Sequence, residues 1–289
     1  MKKVVLGKTG IEVSYLGLGT SAAYDGAVCA AKLKAQDYHD LLLFAYERGV
    51  NFWDTSLVYG THGVIREALK SVPRKNVVIC SKTTEIQAEK VKKSVEQTLK
   101  EIGSDYIDIF MLQAIRNKFD FQCRLKALDI LNMMKKKGYI RAMGIASHGL
   151  GALEASRDSD RIDLVMGRIN YSGHLMDSRQ DDLKSILAGI PSIKKLSQKL
   201  LPAGVFKKMA ASVQRPRASE NDRRTANKIF QELHAMGKNV IGMKILGEGH
   251  LAHDIAGAIK YATSLDYITS IVLGCCSKME LTEALKYVD

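Results

Sequence analysis

Asp54, Tyr59 and Lys82 are the residues of this 289-residue chain whose types and spacing point most directly to chemistry. They lie in Asn51-Phe52-Trp53-Asp54-Thr55-Ser56-Leu57-Val58-Tyr59-Gly60 and in Val77-Val78-Ile79-Cys80-Ser81-Lys82. Each stands at or just past the C-terminal end of a short apolar run that reads as a strand, so one sheet would bring all three together. A phenol beside an amine and a carboxylate is a proton-donor device. The amine stabilises the phenolate, and the carboxylate keeps the amine charged and in place. The plain alternative is a buried ion pair with a tyrosine packed nearby.

The elements that must position these groups alternate along the chain. Val4 to Leu6, the turn Gly7-Lys8-Thr9-Gly10 and Ile11 to Val13 predict an N-terminal β-hairpin. Strand-like runs follow near Tyr15–Leu18, Asn51–Asp54, Val77–Ser81, Tyr106–Leu112, Ala142–Ala146, Leu164–Ile169, Val240–Lys244 and Ser270–Leu273. Helical patterns separate them, as where Val91, Val95, Leu99 and Ile102 recur with lysine and glutamate between. Gly49, Gly138 and Gly237 follow such segments as helix stops do. Eight strands alternating with eight helices predict an α/β fold, a parallel (β/α)8 TIM barrel with catalytic groups on the loops after the strand C-termini.

Bulk properties agree. A chain of this length fits one α/β barrel or two medium domains. With 46% hydrophobic and 26% charged residues it can fill a large core. Its apolar runs are too short for a membrane span. Met1-Lys2-Lys3 leads straight into Val4-Val5-Leu6 without a signal-like apolar core, so a cytoplasmic protein is expected. Five cysteines with no CxxC spacing indicate neither zinc nor an iron–sulfur cluster, and free thiols are expected. The net charge of +12 is concentrated: Lys184 to Arg217 holds eight basic residues, no acidic one and three of the four prolines. It reads as a basic insertion after strand 6 of a single domain spanning 1–289, an excursion at about 172–222 whose alternative is a solvated face. Phe206 is its one aromatic residue and no DNA-binding motif is visible, so no nucleic-acid partner is expected.

Five stretches carry a family resemblance. They are Leu6 to Thr20, Gly49 to Thr55 with Tyr59-Gly60, Ser104 to Ile109, Gly138 to Ile145, and Met243-Lys244-Ile245-Leu246-Gly247-Glu248-Gly249. In this order and spacing the chain resembles the aldo-keto reductase family nearly end to end. The resemblance implies NAD(P)H-dependent reduction of a small carbonyl substrate. Tyr59 would be the general acid, with its pKa lowered by Lys82, and Asp54 would hold that lysine. It also implies a cofactor cradle drawing on Gly19, Thr20, Ser147, Arg168, Asn170, Met243, Lys244, Leu246, Gly247, Gly249, Ser277 and Lys278.

The chain departs from the family pattern at Gln113, where a histidine ends the fourth strand. A glutamine amide can donate a hydrogen bond and orient a carbonyl, but it cannot carry a proton near neutral pH. His62 and His148 offer alternative proton donors, beside the plainer reading of loop-stabilising histidines. At the cofactor end Glu280 and Ala284 replace an arginine and an asparagine of NADP-preferring members. A carboxylate there would repel a 2′-phosphate and could accept from a 2′-hydroxyl. Family habit still sets NADP(H) slightly ahead of NAD(H). Lys194, Lys195 and Arg215 of the basic segment would be grips for the pyrophosphate. The expected activity is carbonyl reduction. The alternatives are a cofactor-binding sensor or regulatory barrel with little turnover, and a reductase of an activated C=C bond. Oligomeric state stays open.

Overall fold

The computed structural model describes residues 1–21, 33–147, 149–174 and 218–288. The basic stretch 184–217, with Lys194, Lys195 and Arg215, and also His148 lie outside the described residues. Two short strands open the chain, β1 (Lys3–Leu6) and β2 (Ile11–Ser14), paired antiparallel. Gly10 closes their turn at φ +67°, a backbone conformation that costs a glycine little.

Eight parallel strands follow: β3 (Leu16–Gly19), β4 (Phe52–Asp54), β5 (Val78–Thr83), β6 (Ile107–Ile115), β7 (Ile140–Ser147), β8 (Leu164–Arg168), β9 (Asn239–Met243) and β10 (Ser270–Gly274). They close into a barrel in that order, β10 pairing with β3. The predicted (β/α)8 architecture and hairpin are therefore present. Around the barrel run α1 (Ala35–Glu47), α2 (His62–Ala68), α3 (Ala88–Ile102), α4 (Lys118–Cys123), α5 (Leu125–Lys136), α6 (Leu150–Arg157), α7 (Glu220–Ala235), α8 (Ile255–Thr263) and α9 (Lys278–Leu285). Among the described residues no helix is long and apolar enough to cross a membrane.

Strand alternation divides the core in two. Phe52, Val78, Cys80, Ile109, Met111, Ala142, Leu164, Met166, Ile241 and Val272 fill the barrel interior, and Leu6, Ile11 and Val13 of the hairpin pack against them from the N-terminal end. Trp53, Ile79, Phe110, Leu112, Met143, Ile145, Val165, Val240 and Ile271 face the helices. On that outer side Asp108 is fully buried. It accepts from Arg74 Nη2 (2.7 Å), Arg141 Nη1 (2.6 Å) and the Ile79 backbone N–H (2.9 Å). Asp108→Ala strands two guanidinium groups near the N-terminal end of β6. Both arginines keep some water contact, so we expect a loss of about 2–3 kcal/mol in denaturant unfolding, with the residues at the C-terminal mouth undisturbed.

Two expectations change. The fourth barrel strand does not stop at Leu112. It runs to Ile115 through a bulge at Ala114, which sits at φ +60° where the pairing with β7 shifts register. A two-residue periodicity cannot reveal an extra residue that breaks it. Free thiols hold for Cys80, Cys123 and Cys275, whereas Cys276 is disulfide-bonded. Pairing depends on closeness in space, which cysteine spacing in a chain does not encode.

Candidate active site

The inward positions at the C-terminal mouth follow from register. Gly274, Gly19 and Asp54 stand in line across β10, β3 and β4. Lys82 is two residues beyond Cys80, which pairs with Asp54, and Gln113 is two beyond Met111, which pairs with Lys82. Gln113 pairs with Ala146, and Arg168 with Met243. Period two puts all eight on the barrel axis side. The ring therefore holds one carboxylate, two cations and an amide beside the small residues Gly19, Ala146 and Gly274.

Lys82 is 2% exposed and Asp54 5%. The Lys82 ammonium donates to Asp54 Oδ1 and to the Thr55 carbonyl (2.8 Å). Burial is the largest single influence and opposes its charge, but Asp54, with Cys80 and Tyr59 adding to it, outweighs burial and holds the amine above its ordinary pKa. Tyr59 lies in a 3-10 turn, Leu57–Tyr59, ended by Gly60 at φ +68°. Its ring centroid is 5.8 Å from Lys82 Nζ. Burial pushes the Tyr59 phenol above its usual value and outweighs the downward pull of Lys82, with Asp54 and Glu248 also raising it. The expected lowering by Lys82 is thus reversed in net effect, because desolvation of the phenolate is the larger influence. The group is a held proton, not a standing phenolate.

Hydroxyl groups fix the turn that presents Tyr59. Thr61 Oγ1 lies 2.8 Å from Thr20 Oγ1 and 2.7 Å from Thr55 Oγ1, while Ser56 Oγ donates to the Lys82 carbonyl at 3.1 Å. His62 faces away from the mouth. Its Nε2 is 2.9 Å from Ser81 Oγ and its Nδ1 2.7 Å from Glu101 Oε2 on α3. Burial lowers its pKa, with Glu101 opposing. The suggestion that His62 donates a proton in the site is corrected here: alternation puts Ser81 on the outer side of β5, and His62 follows it there.

Of the twelve cofactor residues named from the sequence, the first six fall into two groups. Gly19, Thr20, Arg168 and Met243 are at the mouth. Ser147 and Asn170 are tied up in loop architecture. Ser147 Oγ donates to the carbonyl of Ile115 (3.0 Å) or Gly149 (3.2 Å) and accepts from Gly149 N–H, so it retains at most a lone pair for a ligand. Asn170 Nδ2 donates to the His174 and Lys244 carbonyls, and its Oδ1 accepts from Ser172 Oγ and His174 N–H. All four hydrogen-bonding capacities of that amide are used inside the protein.

After β9, Lys244 and Glu248 both adopt left-handed backbone, at φ +58° and +57°, and pair with each other. Leu246 is half-buried, Gly247 is buried, and Gly249 sits at φ +97°. A side chain built on Gly249 would meet nothing within 4 Å, so the backbone there is open to close approach. At α9, Ser277 Oγ accepts from Glu280 N–H (3.1 Å) and Glu280 Oε2 accepts from Cys276 N–H (2.7 Å). Lys278 Nζ lies 5.5 Å from the Phe44 ring centroid. The carboxylate replacing the expected arginine therefore caps its own helix. The small residues around the mouth and the thioether at Met243 leave room for a flat nicotinamide ring, while the Gly247 and Gly249 N–H groups donate to the Lys244 (2.9 Å) and Leu246 (3.0 Å) carbonyls within the loop after β9.

Sequence reasoning missed the threonine chain, the Glu248 carboxylate near Tyr59, and the stacked rings of His174 and His250, 3.8 Å apart. None has a local signature, since each joins loops far apart in the chain. A cleft of about 310 Å³ lined by Asp129, Lys135, Arg161 and Asp163 lies elsewhere, toward the N-terminal end of β8. Its charges pair with one another, Lys135 with Asp163 (2.6 Å) and Arg161 with Asp129 (2.7 Å), and it carries none of the mouth residues.

The fold and the mouth together define a (β/α)8 barrel with an acid–base cluster where such barrels place their chemistry. A family model described as the aldo/keto reductase family matches residues 15–289, and the chain belongs to that family. It is 27% identical over 201 residues to the NADH-specific methylglyoxal reductase of Escherichia coli K12, covering 62% of each chain. It is 28% identical over 214 residues to L-galactose dehydrogenase of Arabidopsis thaliana, covering 68% of this chain and 66% of that one. These matches span under two thirds of those relatives' length. The fold is similar to that of an aldo-keto reductase from Bacillus halodurans in its holo form, with a TM-score of 0.70 at 15% identity over 100% of this chain and 91% of that one.

Proposed function

We propose that this chain reduces an aldehyde or ketone with a reduced nicotinamide cofactor, Tyr59 being the proton donor. The observation that carries the reading is the Lys82–Asp54 pair held beside the Tyr59 ring at the barrel mouth. The cofactor, when bound, supplies the hydride for the carbonyl carbon. Tyr59 O–H gives its proton to the carbonyl oxygen, and Lys82 stabilises the phenolate that remains. Asp54 keeps Lys82 charged and oriented. Gln113 Nε2 donates to the same oxygen and orients it without transferring a proton. NADP(H) follows family habit, whereas the Glu280 carboxylate at the start of α9 works against a 2′-phosphate. Paired titrations with NADPH and NADH decide between them.

Turnover of NAD(P)H with a panel of aldehydes, ketones and enones tests the reading. The pH profile is its sharpest part. Burial keeps Tyr59 protonated beyond its ordinary range, and Gln113 contributes no titration. Reduction should therefore be flat across neutral pH and fall only above about pH 10, as Tyr59 loses its proton. An acid–base limb near pH 6–7 would instead point to a histidine donor. Gln113 also favours a second reading, a cofactor-binding barrel with little turnover. Tight cofactor binding with no turnover across the panel would select it, and turnover of enones alone would select C=C reduction.

A further inference from the structure

His62 is 2% exposed and lies outside the mouth, yet both of its ring nitrogens are engaged. Glu101 Oε2 is 2.7 Å from Nδ1, and Ser81 Oγ is 2.9 Å from Nε2. The Glu101 carboxylate can only accept, so Nδ1 carries the proton and, in the neutral ring, Nε2 accepts from the Ser81 hydroxyl. Serine, histidine and carboxylate in this order form the relay that activates a nucleophilic serine. Ser81 is fully buried on the outer side of β5, so no substrate reaches its oxygen. The relay therefore holds structure in place and activates no nucleophile.

What it holds follows from spacing. Tyr59 is three residues after Ser56 and three before His62. Ser56 Oγ donates to the Lys82 carbonyl (3.1 Å), and His62 meets Ser81, the residue before Lys82. Both ends of the Tyr59 turn are thus pinned to consecutive residues of the strand that carries the ammonium. The Thr61 hydroxyl ties the far end to Thr20 and Thr55, beside β3 and β4, whereas His62 ties it to β5 and, through Glu101, to α3. Gly60 at φ +68° follows Tyr59 directly, so the stretch between the phenol and α2 has a glycine's freedom and depends on its end points.

We propose that His62 is a positioning residue for Tyr59, keeping the turn in register with Lys82 by binding Ser81 beside it. The inference rests on the reductase reading above. His62 exchanges no proton with substrate. Without the pin the phenol drifts from the place where its proton meets the carbonyl oxygen, and a misplacement of about 1 Å can cost about 10²-fold in rate.

Steady-state kcat and KM would be measured for the wild type, His62→Leu and His62→Gln with a carbonyl that the wild type reduces, each variant checked for native thermal unfolding. In His62→Leu, which loses both bonds, kcat should fall by about 10- to 100-fold while KM for cofactor and for substrate stays within about twofold. His62→Gln keeps an acceptor for Ser81 and should recover most of kcat. Ser81→Ala breaks the contact from the strand side and replaces His62→Leu as the probe if that variant does not fold. The deciding measurement is a double-mutant cycle with Tyr59→Phe. Acting through the phenol, His62→Leu should change the residual rate of Tyr59→Phe by less than about twofold. Equal losses in both backgrounds, or an unchanged kcat in folded His62→Leu and Ser81→Ala, overturn this inference and leave the reductase reading standing. A folded wild type inert toward every carbonyl overturns both.

Discussion

Tyr59→Phe lowers kcat/KM for carbonyl reduction by about 10³-fold, within the range that loss of a positioned proton donor produces. The substitution removes one oxygen and keeps the ring. The turn Leu57–Tyr59, closed by the Tyr59 N–H to Ser56 carbonyl bond of 3.0 Å, and the ring's approach to Lys82 both persist. Nicotinamide affinity, followed by cofactor fluorescence, should therefore stay within about twofold, which separates loss of chemistry from loss of binding. Gln113 cannot replace the missing proton, so little residual rate is expected from it. A variant with near-normal turnover would show that the proton comes from elsewhere.

Lys82→Met should act on stability and activity at once. It removes the ammonium and leaves the Asp54 carboxylate buried without its cation. Breaking a pair this deeply buried costs about 3–5 kcal/mol, read as a shift in the denaturant midpoint. Adding Asp54→Leu removes the stranded charge and should recover much of the stability without recovering turnover. That divergence distinguishes a catalytic pair from a purely structural one. The pH dependence has a defined sign. Lys82 is held above its ordinary pKa, so its stabilisation is complete below about pH 10.5 and is lost only as pH rises through the higher folded value. Wild type and variant should differ by a constant amount at neutral pH and converge only in strong alkali.

The Cys276 disulfide beside Ser277 and Lys278 alters the picture of the start of α9, which the sequence presents only as a run of small and charged residues. The same holds for Glu280. Its chemistry was legible as an unfavourable neighbour for a 2′-phosphate. Its bond to the Cys276 N–H is a capping arrangement that emerges once α9 exists.

Much of the barrel was legible because it is periodic. Inward residues such as Phe52, Val78, Ile109 and Ile241 are apolar at every second position, and Val91, Val95 and Ile102 mark the buried stripe of α3. Asp54, Tyr59 and Lys82 could be found because polar groups at the ends of apolar runs stand out. What broke the period stayed hidden: the Ala114 bulge, the left-handed Lys244 and Glu248, and the orientation of His62 toward Ser81 and Glu101. Local sequence determined which residue types reach the mouth, since strand alternation and loop position depend on near neighbours alone. Tertiary structure decided how each group behaves there. Burial turned Tyr59 into a held proton despite Lys82, and packing left the Gln113 amide open while Asn170 and Ser147 were bonded into loops, because desolvation and hydrogen-bond partners are set by atoms distant in the chain.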